Sequence, residues 1–356
     1  MAMEKKDVDL DSLDARILRE IEPDGRQPIS DLARKLGISQ TYARQRFHSL
    51  LDRKIARIIA ITSPVALGYR TQAVTGIQVA SLGDLHAVAD KLRSLTNVKL
   101  LMISAGWQDI IIWTMFATAT DLSTFLATEL GNISGIKSTE TMMVIESRGS
   151  WTYLPSSLRA NVLFAPSPPS HLVAGGNREA KDAALAQRGD QDSDLVIDQL
   201  DLMILKEMEQ DGRQPVSHLA KKLGICRPNA RARLQRLLDK QITRIITFTN
   251  PAHLGYPVFA MIGIKVSPKE IDAVMDKMET LSNVYWVARV AGRYDLIATT
   301  LFPGLTELSV FLARELGATP GVLSAETMII LEVRKWSFAY LASSYLRSVE
   351  KYQQKT

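Results

Sequence analysis

The sequence predicts an α+β fold in which two winged-helix-like helix-turn-helix domains alternate with two ferredoxin-like domains. Two observations predict this fold: the chain repeats itself, and each copy passes from helical to strand-like spacing of its apolar residues. The segment Asp24–Pro28 recurs as Asp211–Pro215, and Ala56–Tyr69 recurs as Thr243–Tyr256, both at an offset of 187 residues. A repeat of this length is typical of a duplicated domain pair and is too long for a solenoid unit.

Composition excludes several classes of protein. Of the 356 residues, 46% are hydrophobic and 23% charged, as in an ordinary soluble globular protein. No apolar run is long enough to span a membrane, and the N-terminus lacks the apolar stretch of a secretory signal. With one cysteine, Cys226, the chain forms no internal disulfide. The 5 histidines show no metal-ligand spacing, so we expect no metal site and a reducing cytoplasm.

Each copy begins with three short helices. In the first copy, Asp11 is the predicted cap of the first helix and Ser30 the predicted cap of the second, over Asp31–Leu36. Ser39 is the predicted cap of the third, over Gln40–Leu51. A short helix, a glycine turn and a capped helix form the helix-turn-helix pattern, which the second copy repeats.

The polar face of the third helix is the predicted DNA-binding surface, because such a helix fits the major groove and its side chains can donate to base edges and phosphates. The candidates are Ser39, Gln40, Thr41, Arg44, Gln45, Arg46 and His48 in the first copy, and Arg227, Asn229, Arg231, Arg233, Gln235 and Arg236 in the second. Since the two faces differ, we expect the two helices to prefer different half-sites.

Positive charge is concentrated in these helical modules. The net charge is +4 over Leu13–Arg57 and +5 over Leu200–Arg244, against +5 for the whole chain, so the remainder carries −4. A phosphate-binding protein needs this distribution. The alternative is that the charges merely keep two surface helices solvated.

Each copy ends with an α/β module of order βαββαβ, the ferredoxin-like arrangement. In the first copy the first strand is predicted at Thr71–Val79 and the last at Ile136–Ile145. Two helices cover one face of such a sheet. The other face carries Ile111, Trp113 and Met115 and needs a partner, so we expect pairing with another copy.

A short turn, Ala105–Asp109 in one copy and Ala291–Asp295 in the other, joins two strands. Its glycine is explained either by a positive φ alone or by a rim where Trp107, or Arg293 with Tyr294, meets a small ligand. An arginine there could bind a carboxylate with two hydrogen bonds. The sequence contains no catalytic motif: no phosphate-binding glycine loop, no zinc-protease motif and no nucleophilic cysteine with a matching histidine.

The motifs resemble those of the Lrp/AsnC, or feast/famine, family of transcriptional regulators. The residues that carry the resemblance are Leu10, Asp11, Asp14, Ile17 and Leu18, with Asp198, Asp201, Ile204 and Leu205 in the second copy; Leu32, Ala33, Gly37, Ile38 and Ser39; and the pairs Arg46 with Leu50 and Arg233 with Leu237. The turn and the last strand match as well. The resemblance covers both copies, and the chain is similar to a covalent dimer of a family member.

The resemblance implies a helix-turn-helix domain joined to a ferredoxin-like RAM domain, which pairs into homo-oligomers. It also implies double-stranded DNA as partner, a prokaryotic cytoplasm with nucleoid association, and an amino acid as effector, with no other cofactor and no membrane. The implied effector-binding residues are Gly106, Trp107, Asp109, Thr141, Gly292, Arg293, Tyr294, Asp295 and Thr327.

The expected domains are a helix-turn-helix domain at 9–62, a RAM domain at 70–154, a linker at 155–196, a second helix-turn-helix domain at 197–249, a second RAM domain at 257–338 and a tail at 339–356.

The sequence therefore predicts a sequence-specific DNA-binding regulator without enzymatic activity. Two alternatives stay open. Some decarboxylases of haem biosynthesis resemble this family, and such an enzyme would need histidine or arginine groups in the α/β cleft, where neither His86 nor His253 is expected. A purely architectural DNA-binding protein would have no effector.

Overall fold

A computed structural model describes residues 10–21, 24–149, 197–249, 251–337 and 341–343. Within them the chain follows the predicted order of two helical and two α/β domains. The expected linker and most of the expected tail lie outside the described residues. The described residues contain no helix that is both long and apolar enough to cross a membrane.

Each helical domain consists of three helices and one strand. The first comprises α1 (Ser12–Ile21), α2 (Ile29–Leu36), α3 (Gln40–Asp52) and β1 (Ala56–Thr62), and the second comprises α6 (Gln199–Gln210), α7 (Val216–Leu223), α8 (Arg227–Asp239) and β6 (Thr243–Thr249).

The predicted helix caps are correct at two of three positions. Asp11 Oδ1 accepts the backbone N–H of Asp14 at 2.8 Å, and Ser39 Oγ accepts that of Tyr42 at 3.2 Å. The prediction for Ser30 is wrong, because α2 begins at Ile29, two residues before the predicted start at Asp31, and follows Pro28. Proline has a fixed φ at this boundary, and its carbonyl accepts the N–H groups of Asp31 and Leu32, both at 3.1 Å.

The α/β domains have the predicted βαββαβ order. The first contains β2 (Thr71–Val79), α4 (Leu85–Ser94), β3 (Val98–Ala105), β4 (Ile110–Phe116), α5 (Ala119–Thr124) and β5 (Ile136–Gly149). The second contains β7 (Val258–Val266), α9 (Ile271–Thr280), β8 (Val284–Ala291), β9 (Leu296–Phe302), α10 (Leu305–Val310) and β10 (Val322–Trp336). A π-helical turn extends α5 through Leu130 and α10 through Leu316.

The two sheets join into one closed barrel of order β10-β3-β4-β2-β5-β8-β9-β7. Strands β5 and β10 make the junctions: each pairs first with a strand of its own copy and then with a strand of the other. This explains why β5 runs to Gly149, beyond the predicted end at Ile145.

The uncovered sheet face has its partner within the same chain. Trp113 of β4 is 1% exposed and packs edge-to-face on Trp286 of β8, with ring centroids 4.6 Å apart. Met115 and Ile111 belong to the same buried cluster. The helices cover the outer faces, where each copy has its own apolar core.

The two helical domains are paired by a second, smaller sheet. Strand β1 runs antiparallel to β6, from Ala56 opposite Thr249 to Thr62 opposite Thr243. Both kinds of domain therefore form pseudo-symmetric pairs inside one polypeptide.

A buried carboxylate connects the end of the chain to the second helical domain. Both oxygens of Glu209, on α6, accept backbone N–H groups, from Ala342 at 2.6 Å and from Ser343 at 2.9 Å. The hydroxyls of Ser343 and Thr62 donate to the same carboxyl group, at 2.6 and 3.4 Å. Burial raises the pKa of Glu209. The described part of the tail is thus docked on the helices.

Candidate functional site

The third helix of each helical domain buries one face and exposes the predicted polar one. In α3 the buried residues are Ala43, Phe47 and Leu50; in α8 they are Ala230, Leu234 and Leu237. The exposed candidates are Ser39, Gln40, Thr41, Arg44, Gln45 and His48 in the first copy, and Arg227, Asn229, Arg231, Gln235 and Arg236 in the second. Tyr42, which sequence reasoning did not single out, is also exposed and adds a hydroxyl donor to the surface.

Arg46 and Arg233 have structural partners. Arg46 Nη2 lies 2.7 Å from Asp14 Oδ2 and also binds Asp11, which ties α3 to α1. Arg233 Nη1 makes the equivalent pairs with Asp198 at 2.6 Å and Asp201 at 3.0 Å. Both arginines stabilise the position of the third helix, a role that the sequence analysis, which listed them among the DNA-binding candidates, did not assign.

Arg236 shares features of the exposed candidates and of the two arginines that pair with acidic residues. It is exposed at the surface, yet its guanidinium also binds the buried carboxylate of Asp201. In the first copy, burial raises the pKa of the equivalent Asp14 more than its ion pair with Arg46 lowers it. Asp14 with Arg46 and Asp201 with Arg233 are both 32 residues apart, so the same ion pair is present in both copies.

The repeated DGRQP segments hold the two helical domains together. Arg26 Nε donates to the carbonyl of Gly212 at 2.7 Å, and its Nη2 donates to that of Gln214 at 3.1 Å. In return, Arg213 donates to the carbonyl of Gln27. Burial lowers the pKa of both guanidinium groups.

The glycines of these segments allow the close approach. Gly212 N–H donates to the carbonyl of Ile58 at 2.8 Å, and a Cβ at this position would lie 3.1 Å from the backbone of Ile58. A Cβ at Gly25 would lie 2.7 Å from a methyl of Ile58. The repeat that revealed the duplication is therefore an interface motif, and it sets the two third helices in one fixed arrangement.

Each of the two turns that were predicted to bind a ligand packs against the last strand of the other copy. A Cβ on Gly106 would lie 3.0 Å from the carbonyl oxygen of Thr327 on β10, and one on Gly292 would lie 2.8 Å from Met142 on β5. Both glycines also have a positive φ, 148° and 152°. We call this junction of the two turns with β5 and β10 the seam; it brings both predicted effector sites into one cluster.

Arg293 is the central cation of the seam. Its Nη2 binds both carboxylate oxygens of Glu326, at 2.8 and 3.0 Å, and its guanidinium carbon lies 4.8 Å from the ring centroid of Trp107. The hydroxyl of Tyr294 donates to Glu326 at 2.8 Å. Hydrogen bonding to Arg293 lowers the pKa of Glu326, and burial raises that of Tyr294.

Other predicted effector residues form bonds within the protein. Asp109 Oδ2 accepts the backbone N–H of Val79 at 2.9 Å, and Asp295 Oδ2 accepts that of Val266 at 2.9 Å, so both aspartates anchor the turns to neighbouring strands. The hydroxyl of Thr141 lies 2.9 Å from that of Thr75. The equivalent Thr327 is half-buried.

Gln108 belongs to the seam, although sequence reasoning did not select it. Its side chain lies over Gly76, where a Cβ would come within 2.5 Å, just as Tyr294 lies over Gly263. Gln108 is 5% exposed, and its Oε1 accepts no hydrogen bond from the described residues; the buried indole N–H of Trp107 has no acceptor among them either. The sequence signal that could have identified Gln108 is its alignment with Tyr294 in the repeated turn.

The described residues hold no group of three or more His, Cys, Asp or Glu side chains that could bind a metal ion. His48, His86 and His218 are exposed on helices. His171 and the side chain of His253 lie outside what the structure describes.

Comparison with known proteins identifies both kinds of domain. The model of the AsnC-type helix-turn-helix domain matches residues 10–51 and 197–238, and that of the Lrp/AsnC ligand binding domain matches residues 72–150 and 259–354.

Curated relatives match a single copy. An uncharacterized HTH-type transcriptional regulator of Pyrococcus furiosus is 32% identical over 145 residues, which are 40% of this chain and 98% of that protein. The HTH-type transcriptional regulator Ptr1 of Methanocaldococcus jannaschii is 26% identical over 141 residues, 39% of this chain and 95% of that protein.

A solved structure matches the whole chain. The siroheme decarboxylase NirDL, in complex with an iron-uroporphyrin III analogue, superimposes with a TM-score of 0.61 over 96% of this chain and 98% of that chain, at 15% identity. At this identity the likeness shows a common fold and no more. With both family domains present twice and relatives that are HTH-type transcriptional regulators, the chain belongs to the Lrp/AsnC family, in a tandem-duplicated form.

Proposed function

We propose that this protein is a sequence-specific DNA-binding transcription regulator in which one chain reads both halves of an operator. The observation that carries the proposal is the pairing of the two helix-turn-helix domains through β1 and β6, with two different polar faces exposed on α3 and α8.

The exposed faces suit different base edges. Arg44 and Gln45 of α3 are types that bind guanine and adenine edges, and α8 presents Arg231 and Gln235. The position of Thr41 is taken by Pro228 in α8, which cannot donate from its backbone. Unlike a symmetric dimer, the chain would favour an operator with two unlike half-sites in one orientation.

Duplication places the functions of a dimer in one polypeptide. The β1–β6 ladder, the exchanged arginines and the closed barrel all form between the two copies. We therefore propose that one chain is the DNA-binding unit, whatever larger assembly forms through the RAM domains, and that it acts at the nucleoid of a prokaryotic cell.

The seam is the proposed site of a small effector. It contains the candidate residues Trp107 and Arg293, and it holds buried polar atoms whose hydrogen-bonding capacity is unused by the described residues. A ligand between the two copies would contact β5 and β10, the strands that join the two sheets.

The experiment is selection of bound duplexes from a random pool by the full chain at near-physiological salt. The expected result is one enriched site with two non-identical halves, bound by one chain. Enrichment of no sequence, or loss of sequence preference at every salt concentration, would contradict a specific regulator.

A second candidate function follows from the whole-chain fold likeness to a siroheme decarboxylase. Conversion of a tetrapyrrole would require the chain to bind one, and titration with iron-uroporphyrin III, followed by its absorbance band, tests this directly. Among the described residues, His48, His86 and His218 are exposed on helices, whereas Arg293 lies in the seam. Tight porphyrin binding together with absent DNA binding would reverse the assignment.

A further inference from the structure

We propose that Arg26 and Arg213 determine which separation of two half-sites the chain accepts on a duplex. Both are positioning residues: they act by fixing the two third helices relative to each other and need no contact with DNA. The proposal rests on the DNA-binding role proposed above, and it names the residues that set one part of the specificity.

The strands that pair the two helical domains leave the angle between the domains open. β1 and β6 form a sheet of two strands, and no third strand among the described residues joins it. Adjacent strands twist relative to each other by roughly 10 to 35°, and two-stranded ribbons twist most. The ladder therefore pairs the domains, and other contacts must set the angle.

The exchanged arginines supply these contacts. Arg26 donates to two carbonyls of the other domain, those of Gly212 at 2.7 Å and Gln214 at 3.1 Å. Arg213 donates in return to the carbonyl of Gln27. A guanidinium is planar and its N–H groups have fixed directions, so two bonds from one arginine fix an angle as well as a distance. Both side chains are half-buried.

The same two side chains connect to both third helices. The guanidinium of Arg213 lies over the ring of Phe47, on α3 itself. Arg26 Nη2 lies 3.8 Å from the sulfur of Met208 on α6, and Arg233 ties α6 to α8. A rotation of one helical domain against the other would break these contacts, so they hold α3 and α8 at one relative position.

A duplex converts this fixed position into a fixed separation of half-sites. Because it turns once in about 10–10.5 base pairs, one added base pair moves a half-site by about 3.4 Å and rotates it by about 34°. Two rigidly joined helices can fill both half-sites at one separation only. Helices that rotate about the two-stranded sheet could follow the displaced half-site.

Binding of the full chain to a series of operators tests the proposal. The series keeps both selected halves and lengthens or shortens the segment between them by one or two base pairs. We expect the parent to lose at least about tenfold in affinity at each change, and the double variant Arg26→Met with Arg213→Met to lose less than about threefold. The lost positive charges weaken all operators alike, so the ratio between separations is the readout.

Two further variants make the result specific. Arg16→Met is the matched control, because Arg16 also donates to a backbone carbonyl, that of Leu36 at 3.2 Å, but within its own domain. It should keep the preference of the parent. Arg26→Lys with Arg213→Lys retains both charges without the planar fork, and it should broaden the preference even if the methionine variant does not fold.

A distance measurement without DNA separates the role of the arginines from that of the regulator. Cys226, the single cysteine, is exposed at the start of α8, and Ser39→Cys adds the equivalent position before α3. With spin labels at both positions, electron paramagnetic resonance should give one narrow distance distribution in the parent and in Arg16→Met. The distribution should be broader in both arginine double variants.

A sharp preference or a narrow distance distribution that persists in both double variants would overturn the proposal, and so would a preference broadened by Arg16→Met. If selection yields no operator, the regulator fails and the spacing role fails with it. A broader distribution in the double variants would then still assign the joining of the two domains to the arginines, which distinguishes that failure from an error about Arg26 and Arg213.

Discussion

The guanidinium carbon of Arg213 lies 4.6 Å from the ring centroid of Phe47, so an arginine of the second helix-turn-helix domain packs on α3 of the first. The same guanidinium donates to the carbonyl of Gln27. One side chain therefore joins the two DNA-binding domains through a cation–π contact and a hydrogen bond.

Replacing Arg213 with alanine should lower the free energy of unfolding by about 2 kcal/mol, because a half-buried charged hydrogen bond and a cation–π contact are both lost. Denaturant unfolding monitored by circular dichroism measures the loss. Arg34→Ala is the control: Arg34 is exposed, pairs with Asp31 of its own helix and should change stability by less than about 1 kcal/mol. Equal effects of the two substitutions would show that Arg213 does not join the domains.

Arg44→Ala and Arg231→Ala should each cost about 1–3 kcal/mol of DNA-binding free energy, and each at one half-site only, if the arginines contact bases. Binding to the selected operator and to derivatives altered in one half measures this. If instead the arginines contact phosphates, each substitution would weaken binding to all sequences equally and reduce the salt dependence.

Glu209→Gln should destabilise the protein by about 1–3 kcal/mol. Both carboxylate oxygens accept backbone N–H groups, so an amide nitrogen at either position would face a donor. Thermal unfolding measures the change, and Glu129→Gln, the same substitution at an exposed position, is the matched control. A variant as stable as the parent would mean that the docked segment at 341–343 does not depend on this carboxylate.

The contribution of Glu326 should depend on pH in a defined direction. Because hydrogen bonding to Arg293 lowers its pKa below the ordinary value of 4.5, the ionised form is favoured by folding. The resulting stability is present above that value and is lost as pH falls through the lower pKa of the folded state. Unfolding of the parent and of Glu326→Gln should therefore differ slightly, by under about 1 kcal/mol, at pH 7, and the difference should shrink as the pH falls below 4.5. A difference that grows on acidification would contradict this.

Gly263→Ala should destabilise the second RAM domain by about 1–3 kcal/mol, since the added methyl would lie 2.4 Å from the Tyr294 ring. In the background of Tyr294→Ala, Gly263→Ala should cost much less than in the parent, because no ring then lies over residue 263. Thermal unfolding of the two variants and the double variant measures this coupling. Strict additivity would show that the ring does not set the requirement for glycine.

The local elements could be predicted from the sequence because their causes are local. Caps such as Ser39, the apolar period of each helix and the alternation of strands such as Thr71–Val79 depend on neighbouring residues. The apolar period of α3 also predicted which of its faces is exposed. Ser30 was misassigned as a cap because a serine inside the first turn resembles one, and Pro28 had already set the boundary.

The partners of long-range contacts could not be predicted in this way. In the sequence, Arg46 and Arg293 are both arginines surrounded by polar residues, and nothing nearby indicates a partner. Their partners, Asp14 and Glu326, are set by packing between elements. Asp109 and Asp295 were predicted only as ligand residues, and the structure adds bonds from each to a backbone N–H group of a strand about 30 residues away, at Val79 and Val266.

By itself the sequence determined that the chain is a duplicated pair of a helical and an α/β domain, since repeats and periodicity are properties of the order of residues. Only the tertiary structure decided that the copies close on each other, through β1 with β6 and through β5 and β10. The physical reason is that an unpaired strand and an uncovered apolar face require a partner but do not specify which one. That choice depends on the complementary surfaces, such as Trp113 against Trp286, that meet only when the whole chain has folded.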